Sequence, residues 1–445
     1  MNNIFVTAAV SLLAGAGVGY LFGSGSEPEA RTTIESVTKV SKRDSASGSS
    51  PSERPMTYEQ IASLPGQTAR VQKLIELYAD LDPSQFQGEA EKLNELPFSE
   101  RILASYLLFA SWAEVAPYDA LSHANSKMGF AGNFVKPTIL QSWAATDASG
   151  AASYYEANRG EFAMMGMMGG RGRGGRGGQS GAGVISAEWA KQDPEGALTW
   201  AQTLDAREQG QATTGALAQI AKSDPESAAA KLAALGEDGG ERAYRAVATE
   251  WAKTDWDATE AWINTLSGEK KDEAMGDAIS SLASMDTDKA ALKALELPEG
   301  EVRAEAIEDV AGSMADESAS DAMTWVMENG SEDAQREAVG DVIGPWVSQD
   351  KNGALEWINA QPEGEVRDEA VQSFIFNDHN QTDGSTIAMA ESISDNGSRQ
   401  RAVGIAAFRW LSNDQDAAMK YIETSEHIDE RGRERLLQRA GVNRD

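Results

Sequence analysis

The stretch MMGMMGGRGRGGRGGQSG at 164–181 concentrates the softest donors of this sequence. Met164, Met165, Met167 and Met168 carry thioethers, which suit Cu(I). Arg171, Arg173 and Arg176 carry guanidinium groups that can meet phosphate. A second set is a series of carboxylates, Asp147, Asp193, Asp224, Asp255, Asp286, Asp350, Asp383 and Asp414, which could serve as a cation ladder or as acid–base groups. A third, Asn377, Asp378, His379 and Asn380 with Asp383, has the composition of a calcium loop. Its Gly is displaced by one position, and no Glu closes it. The only other histidines are His123 and His427, and none forms an HExxH pair. There is no Cys, which excludes disulfides, thiolate nucleophiles and Cys-based zinc sites. No GxSxG or P-loop is present. The residues therefore assign no catalytic, cofactor or metal site, and the expectation is a non-enzyme.

What positions these residues is a repeat. WAATDASGAASY at 143–154, WAKQDPEGALTW at 189–200, WAKTDWDATEAW at 251–262, WVSQDKNGALEW at 346–357 and WLSNDQDAAMKY at 410–421 share one register, with a looser copy from Trp112. An aromatic is followed four residues on by Asp, and eleven residues on by a polar or aromatic residue. Degenerate copies start at 220, 282, 314 and 379, so the spacing is 31 to 33 residues with one gap of 46. A weaker copy, YADLDPSQFQGE at 78–89, opens the series. Ten of the eleven Trp fall in two columns and only Trp256 lies outside, so the register is not chance.

Each unit reads as a helical hairpin. EVRAEAIEDVAGSMA at 301–315 puts Val302, Ala306, Ile307 and Val310 on one helical face. Each recurring Asp, with Ser318 in one unit, stands where helix A stops and helix B starts, and an oxygen side chain there accepts from the free N–H groups of the next helix. Pro follows in Asp82-Pro83, Asp193-Pro194 and Asp224-Pro225, as suits a first helical position. These carboxylates thus read as caps, not as a catalytic ladder. Ala stands four residues after the cap in eight of ten units, small enough for B to lie tightly on A. The first Trp column (Trp112, Trp143, Trp189, Trp251, Trp346, Trp410) reads as core. The second (Trp200, Trp262, Trp325, Trp357) alternates with Lys231, Lys293 and His123, so it is expected partly exposed, as a partner surface.

A hairpin of this kind cannot bury its apolar face alone, so neighbours must stack. The segments EVRAEAIEDVAG and EVRDEAVQSF, each followed by a cap and an Ala-containing helix, resemble the short HEAT-like repeats of bacterial α-solenoids. The resemblance covers about 78–440 and implies an all-α solenoid of ten to eleven hairpins over 57–445 that binds partners on an extended surface. The Trp-x-x-x-Asp signature departs from the usual HEAT pattern, and the period departs from the 34 residues of tetratricopeptide repeats.

The aberrant gap, between Trp143 and Trp189, contains the Met/Gly/Arg stretch. That stretch therefore reads as an insertion into a connecting loop, disordered over 160–183 by its glycine content. A formal net charge of −31 argues against nucleic acid and for cationic partners.

Ahead of the repeats, residues 4–23 carry no charge and are long enough to span a bilayer as a helix. Thr7, Ser11, Gly15, Gly19 and Gly23 share one face, a pattern that predicts self-association in the membrane. A cleaved signal peptide with AGA at 14–16 is the competing reading, but no Lys or Arg precedes the apolar run. Residues 24–56 form a Ser/Gly/Pro-rich flexible linker. Arg31, Lys39, Lys42 and Arg43 favour a cytoplasmic body by the positive-inside rule. The lack of Cys and the polar stalk favour an exported one, and we adopt a single-pass anchor with a periplasmic or extracytoplasmic body. The functional expectation is a membrane-tethered scaffold for protein or peptide partners. The alternative is an α/α-toroid enzyme acting on an extracytoplasmic polymer.

Overall fold

The computed structural model describes residues 56–79, 81–96, 98–165, 180–378 and 383–439. Among them every regular element is helical. No described helix is long and apolar enough to cross a membrane. The candidate span with Thr7, Ser11, Gly15, Gly19 and Gly23, and the linker to residue 55, lie outside the described residues.

The described chain forms two compact units divided after Trp189. The first contains α1 (Tyr58–Ala62), α2 (Gln67–Ala79), α3 (Phe86–Lys92), α4 (Phe98–Val115), α5 (Pro117–Lys127), α6 (Gly132–Ala157) and α7 (Gly181–Ala190). The second contains α8 (Pro194–Ala201), α9 (Ala206–Ala221), α10 (Pro225–Leu235), α11 (Glu241–Ala252), α12 (Trp256–Ile263), α13 (Glu269–Ala283) and α14 (Thr287–Glu296). It continues through α15 (Glu301–Asn329), α16 (Glu332–Ala360), α17 (Glu365–Asn377), α18 (Gly384–Glu391), α19 (Asn396–Asn413), α20 (Gln415–Thr424) and α21 (Glu430–Arg439).

The A-to-B junction is one repeated backbone conformation. Ala116, Asp147, Asp193, Asp224, Asp255, Asp286, Ser318, Asp350 and Asp414 all have φ between −140° and −151° and ψ between 67° and 100°. A single extended residue ends one helix and starts the next. In α6, α15 and α16 the two helices run together across that residue, so each of these long helices is a complete hairpin. Asp383 differs, with ψ −171°. The opening copy departs further: α3 starts at Phe86, and Asp82 donates its N–H to the Gln85 Oε1 at 2.8 Å instead of capping.

In the second unit the A helices stack in chain order, α9 on α11, α11 on α13, then α15, α16, α17 and α19. The B helices α10, α12 and α14 each pack on their own A helix and on the next one. This nearest-neighbour order is solenoid-like. A continuous apolar cluster runs from Ala248 to Leu437. Small residues let the A helices approach: a Cβ on Gly276 would lie 2.7 Å from Val302 Cγ1. Ser281 donates to the Thr249 carbonyl at 2.9 Å, and Ser373 to the Gly340 carbonyl at 2.8 Å. The first unit follows the same order, α2 on α4 and α4 on α6.

Candidate interaction surface

The recurring carboxylates are occupied by backbone. Oδ1 accepts from the N–H three residues on at Asp147 (2.8 Å), Asp193 (2.9 Å), Asp224 (2.9 Å), Asp255 (3.0 Å), Asp286 (3.0 Å), Asp350 (3.0 Å) and Asp414 (3.1 Å). Asp383 accepts from Ser385 and Thr386, and this hydrogen bonding, led by the Ser385 hydroxyl, holds its carboxyl below the usual range. Ser318 accepts more weakly at 3.4 Å. Its junction is bracketed from the next repeat by Gln349, which donates to the Ala315 carbonyl at 2.7 Å and accepts from the Ala319 N–H at 3.2 Å. Of the calcium-loop candidates, Asp378 is buried with Lys351 Nζ 2.7 Å from its Oδ2, while His379 and Asn380 lie outside the described residues. Among the described residues no cluster of His, Asp or Glu is arranged to hold a metal ion.

The two aromatic columns meet inside five of the hairpins. Ring centroids are 5.4 Å apart for Trp112–His123 and Trp143–Tyr154, 5.6 Å for Trp251–Trp262, 6.2 Å for Trp346–Trp357 and 6.0 Å for Trp410–Tyr421. These are the separations of interacting rings. They clasp the end of A to B across the junction. Trp112, Trp143, Trp251 and Trp346 are buried, but Trp189 and Trp410 are only half-buried. In the second column Trp262, Trp325 and Trp357 are half-buried. Trp200 is buried and does not belong to an open surface, because α9 folds directly back against the short helix α8. His123 is also buried, its ring against Phe109 and Trp112. Trp256, outside both columns, is buried too and donates its Nε1–H to the Glu260 carboxylate at 3.2 Å.

Two features escaped the sequence reading. The first is an arginine that staples the B-to-A turn. Arg70 donates to the Leu64 carbonyl, Arg101 to Leu96, Arg303 to Leu297, Arg399 to Ile393 and Arg433 to Ile428, at 2.7–3.3 Å. The signal was present as LPGQTAR, LPFSER and LPEGEVR, an apolar residue with Arg five or six places on. The second is an acidic strip on the A helices of the second unit. At one end Arg245 on α11 holds Asp277 bidentately, at 2.6 and 3.0 Å, and Glu273 at 3.1 Å. Further along, Glu305, Glu308 and Asp309 of α15 lie near Glu337 and Asp341 of α16. Burial, and then the charges of Asp341, Asp309, Glu337 and Glu305, together push the Glu308 carboxyl up to about 7. Such a strip attracts cations and repels anions.

The ends of the insertion are built into the first unit. Phe162 and Met165 are buried, and Glu161 accepts from Asn125 Nδ2 at 2.8 Å. Gly181 begins α7 beneath Tyr155, where a Cβ would lie 2.4 Å from the ring. Within the loop expected over 160–183, Phe162 and Met165 are buried at one end and Gly181, Ala182 and Gly183 at the other. Of the four thioethers, Met165 is buried while Met164 is exposed, and Met167 and Met168 lie outside the described residues.

No protein-family model matches the chain, and no curated protein or solved structure is significantly similar to it.

Proposed function

We propose that this chain is a membrane-tethered scaffold of HEAT-like hairpins, and that the A-helix face of its second unit docks a basic segment of a protein partner. The observation that carries the reading is the Glu308 neighbourhood, where five carboxylates share one strip and crowding with burial pushes the Glu308 carboxyl up to about 7. Like charges at that density make a surface whose energy falls when cationic side chains arrive. Regularly stacked A helices supply the length over which an extended segment can lie. Tethering by residues 4–23 would hold that surface at a membrane, with the body on the exported side.

The test is binding of a labelled Lys/Arg-rich peptide to the full chain, followed by fluorescence anisotropy across a salt series. The expected result is an affinity that falls steeply with salt and drops roughly tenfold when Asp309, Glu337 and Asp341 are changed to Asn, Gln and Asn, equivalent to about 1.4 kcal/mol. Equal affinity for the variant would exclude the strip. Carbonate extraction and protease accessibility of the native protein test the tether and its side.

A further inference from the structure

Residues 120–146 contain no Asp or Glu, although the chain as a whole carries a formal charge of −31. They hold Lys127 and Lys136, and the turn between α5 and α6 lies in their middle. At that turn Phe130 is 64% exposed and Phe134 is 49% exposed, their rings 5.8 Å apart and edge to face. Met128 beside them is half-buried and Lys127 is exposed.

This exposure is built. Gly129 takes a φ of +55°, which other residues rarely adopt. Gly132 is pressed on the Ala124 backbone so closely that a Cβ would overlap its carbonyl oxygen at 2.1 Å. Asn133 Nδ2 donates to the Phe130 carbonyl at 3.2 Å. Lys136, buried, then ties the base of the turn by donating to Asn133 Oδ1 at 3.1 Å and to the Glu161 carbonyl at 2.7 Å. Burial lowers the Lys136 pKa, opposed by the nearby Glu161 charge. The facing carboxylate is that of Glu161, which accepts from Asn125 and Tyr154. Two glycines, an amide and a buried lysine thus fix a turn whose tip presents aromatic rings to the outside.

We propose that this turn is a second membrane contact: Phe130 and Phe134 enter the interface of an anionic bilayer, with Lys127 at the headgroups. Aromatic rings beside a cationic residue suit that interface. An anionic surface repels most of this acidic chain, and a stretch with no acid of its own, faced at its base by Glu161, is where approach is less opposed. The unit is also the one joined to the anchor. A linker with the length and composition of residues 24–56 has a typical reach of about 30 Å, which keeps the first unit within touching distance of the bilayer. The inference rests on the anchor reading only for this proximity.

The chain has no native cysteine, so one introduced thiol reports on one place. Full-length protein carrying Phe130→Cys, labelled with an environment-sensitive nitrobenzoxadiazole dye, is reconstituted into vesicles of three parts phosphatidylcholine to one part phosphatidylglycerol. Leu292→Cys, exposed on α14, is the control. The expected result is at least about a threefold rise in emission and quenching by spin-labelled lipid at position 130 but not at 292. Flotation of wild type and of Phe130→Ser/Phe134→Ser is measured alongside. If the chain floats and the dye at 130 stays as water-exposed as at 292, the contact is overturned while the anchor stands. If flotation is lost in the double Ser variant, the anchor reading fails and the contact stands. If wild type does not float, both fail.

Discussion

The junction residue caps the next helix at nine positions and does not at two, Asp82 and Ala116. Ala116 adopts the backbone conformation of the capping Asp residues but has no side-chain oxygen, and Pro117 follows it as Pro follows Asp193 and Asp224. Ala116→Asp should therefore raise stability by about 1 kcal/mol, read as a higher denaturant midpoint at unchanged slope. Glu308 is the opposite kind of residue. Its folded pKa, about 7, lies above the unfolded value, so the folded state binds the extra proton between roughly pH 4.5 and 7. The strain of its ionised form is absent below that window and complete above it. Glu308→Gln should be close to neutral at pH 4.5 and stabilising by about 1–2 kcal/mol at pH 8, measured as the variant-minus-wild-type difference by urea unfolding at each pH. Caps were legible in the sequence because hydrogen bonding to a helix start is local, three residues away. Glu308 was not, because its neighbours come partly from another hairpin and nothing near it in sequence distinguishes it from other surface acids.

At the scale of elements, a hairpin needs a turn at each end, and the sequence declared one end more loudly than the other. The A-to-B end is written in Trp, Asp and Ala. The B-to-A end relies on an apolar residue and a stapling Arg whose spacing varies between five and six, which hides it from a fixed-register comparison. The same end accommodates the insertion, and its limits were misplaced for a physical reason. Glycine content marks where a chain is free to bend, but it does not mark where neighbouring side chains catch it. Met165 and Gly181 belong to the packed structure. Deleting 163–181 should therefore lower stability by about 2–4 kcal/mol, the scale of emptying one buried methionine site and disturbing a helix start. Thermal melts of that deletion and of Met165→Ala should both show the loss.

From α11 to α21 the second unit is held by one uninterrupted apolar cluster, with each A helix on the next. Ile343 sits in the middle of it and is fully buried. Ile343→Ala should cost about 2–5 kcal/mol. In a nearest-neighbour array that loss is shared with adjoining repeats, so hydrogen exchange should accelerate in α15 and α17 as well as in α16. Acceleration confined to α16 would show that the repeats are energetically separate.

The sequence by itself determined the period and the capped junctions, since each depends on contacts within one hairpin. Only the tertiary structure decided that Trp200 and His123 are buried and that a carboxylate cluster lies across α15 and α16. It also decided that Phe130 and Phe134 stand out from the first unit. Exposure is fixed by what the neighbouring helices cover, and a residue's own repeat carries no record of that.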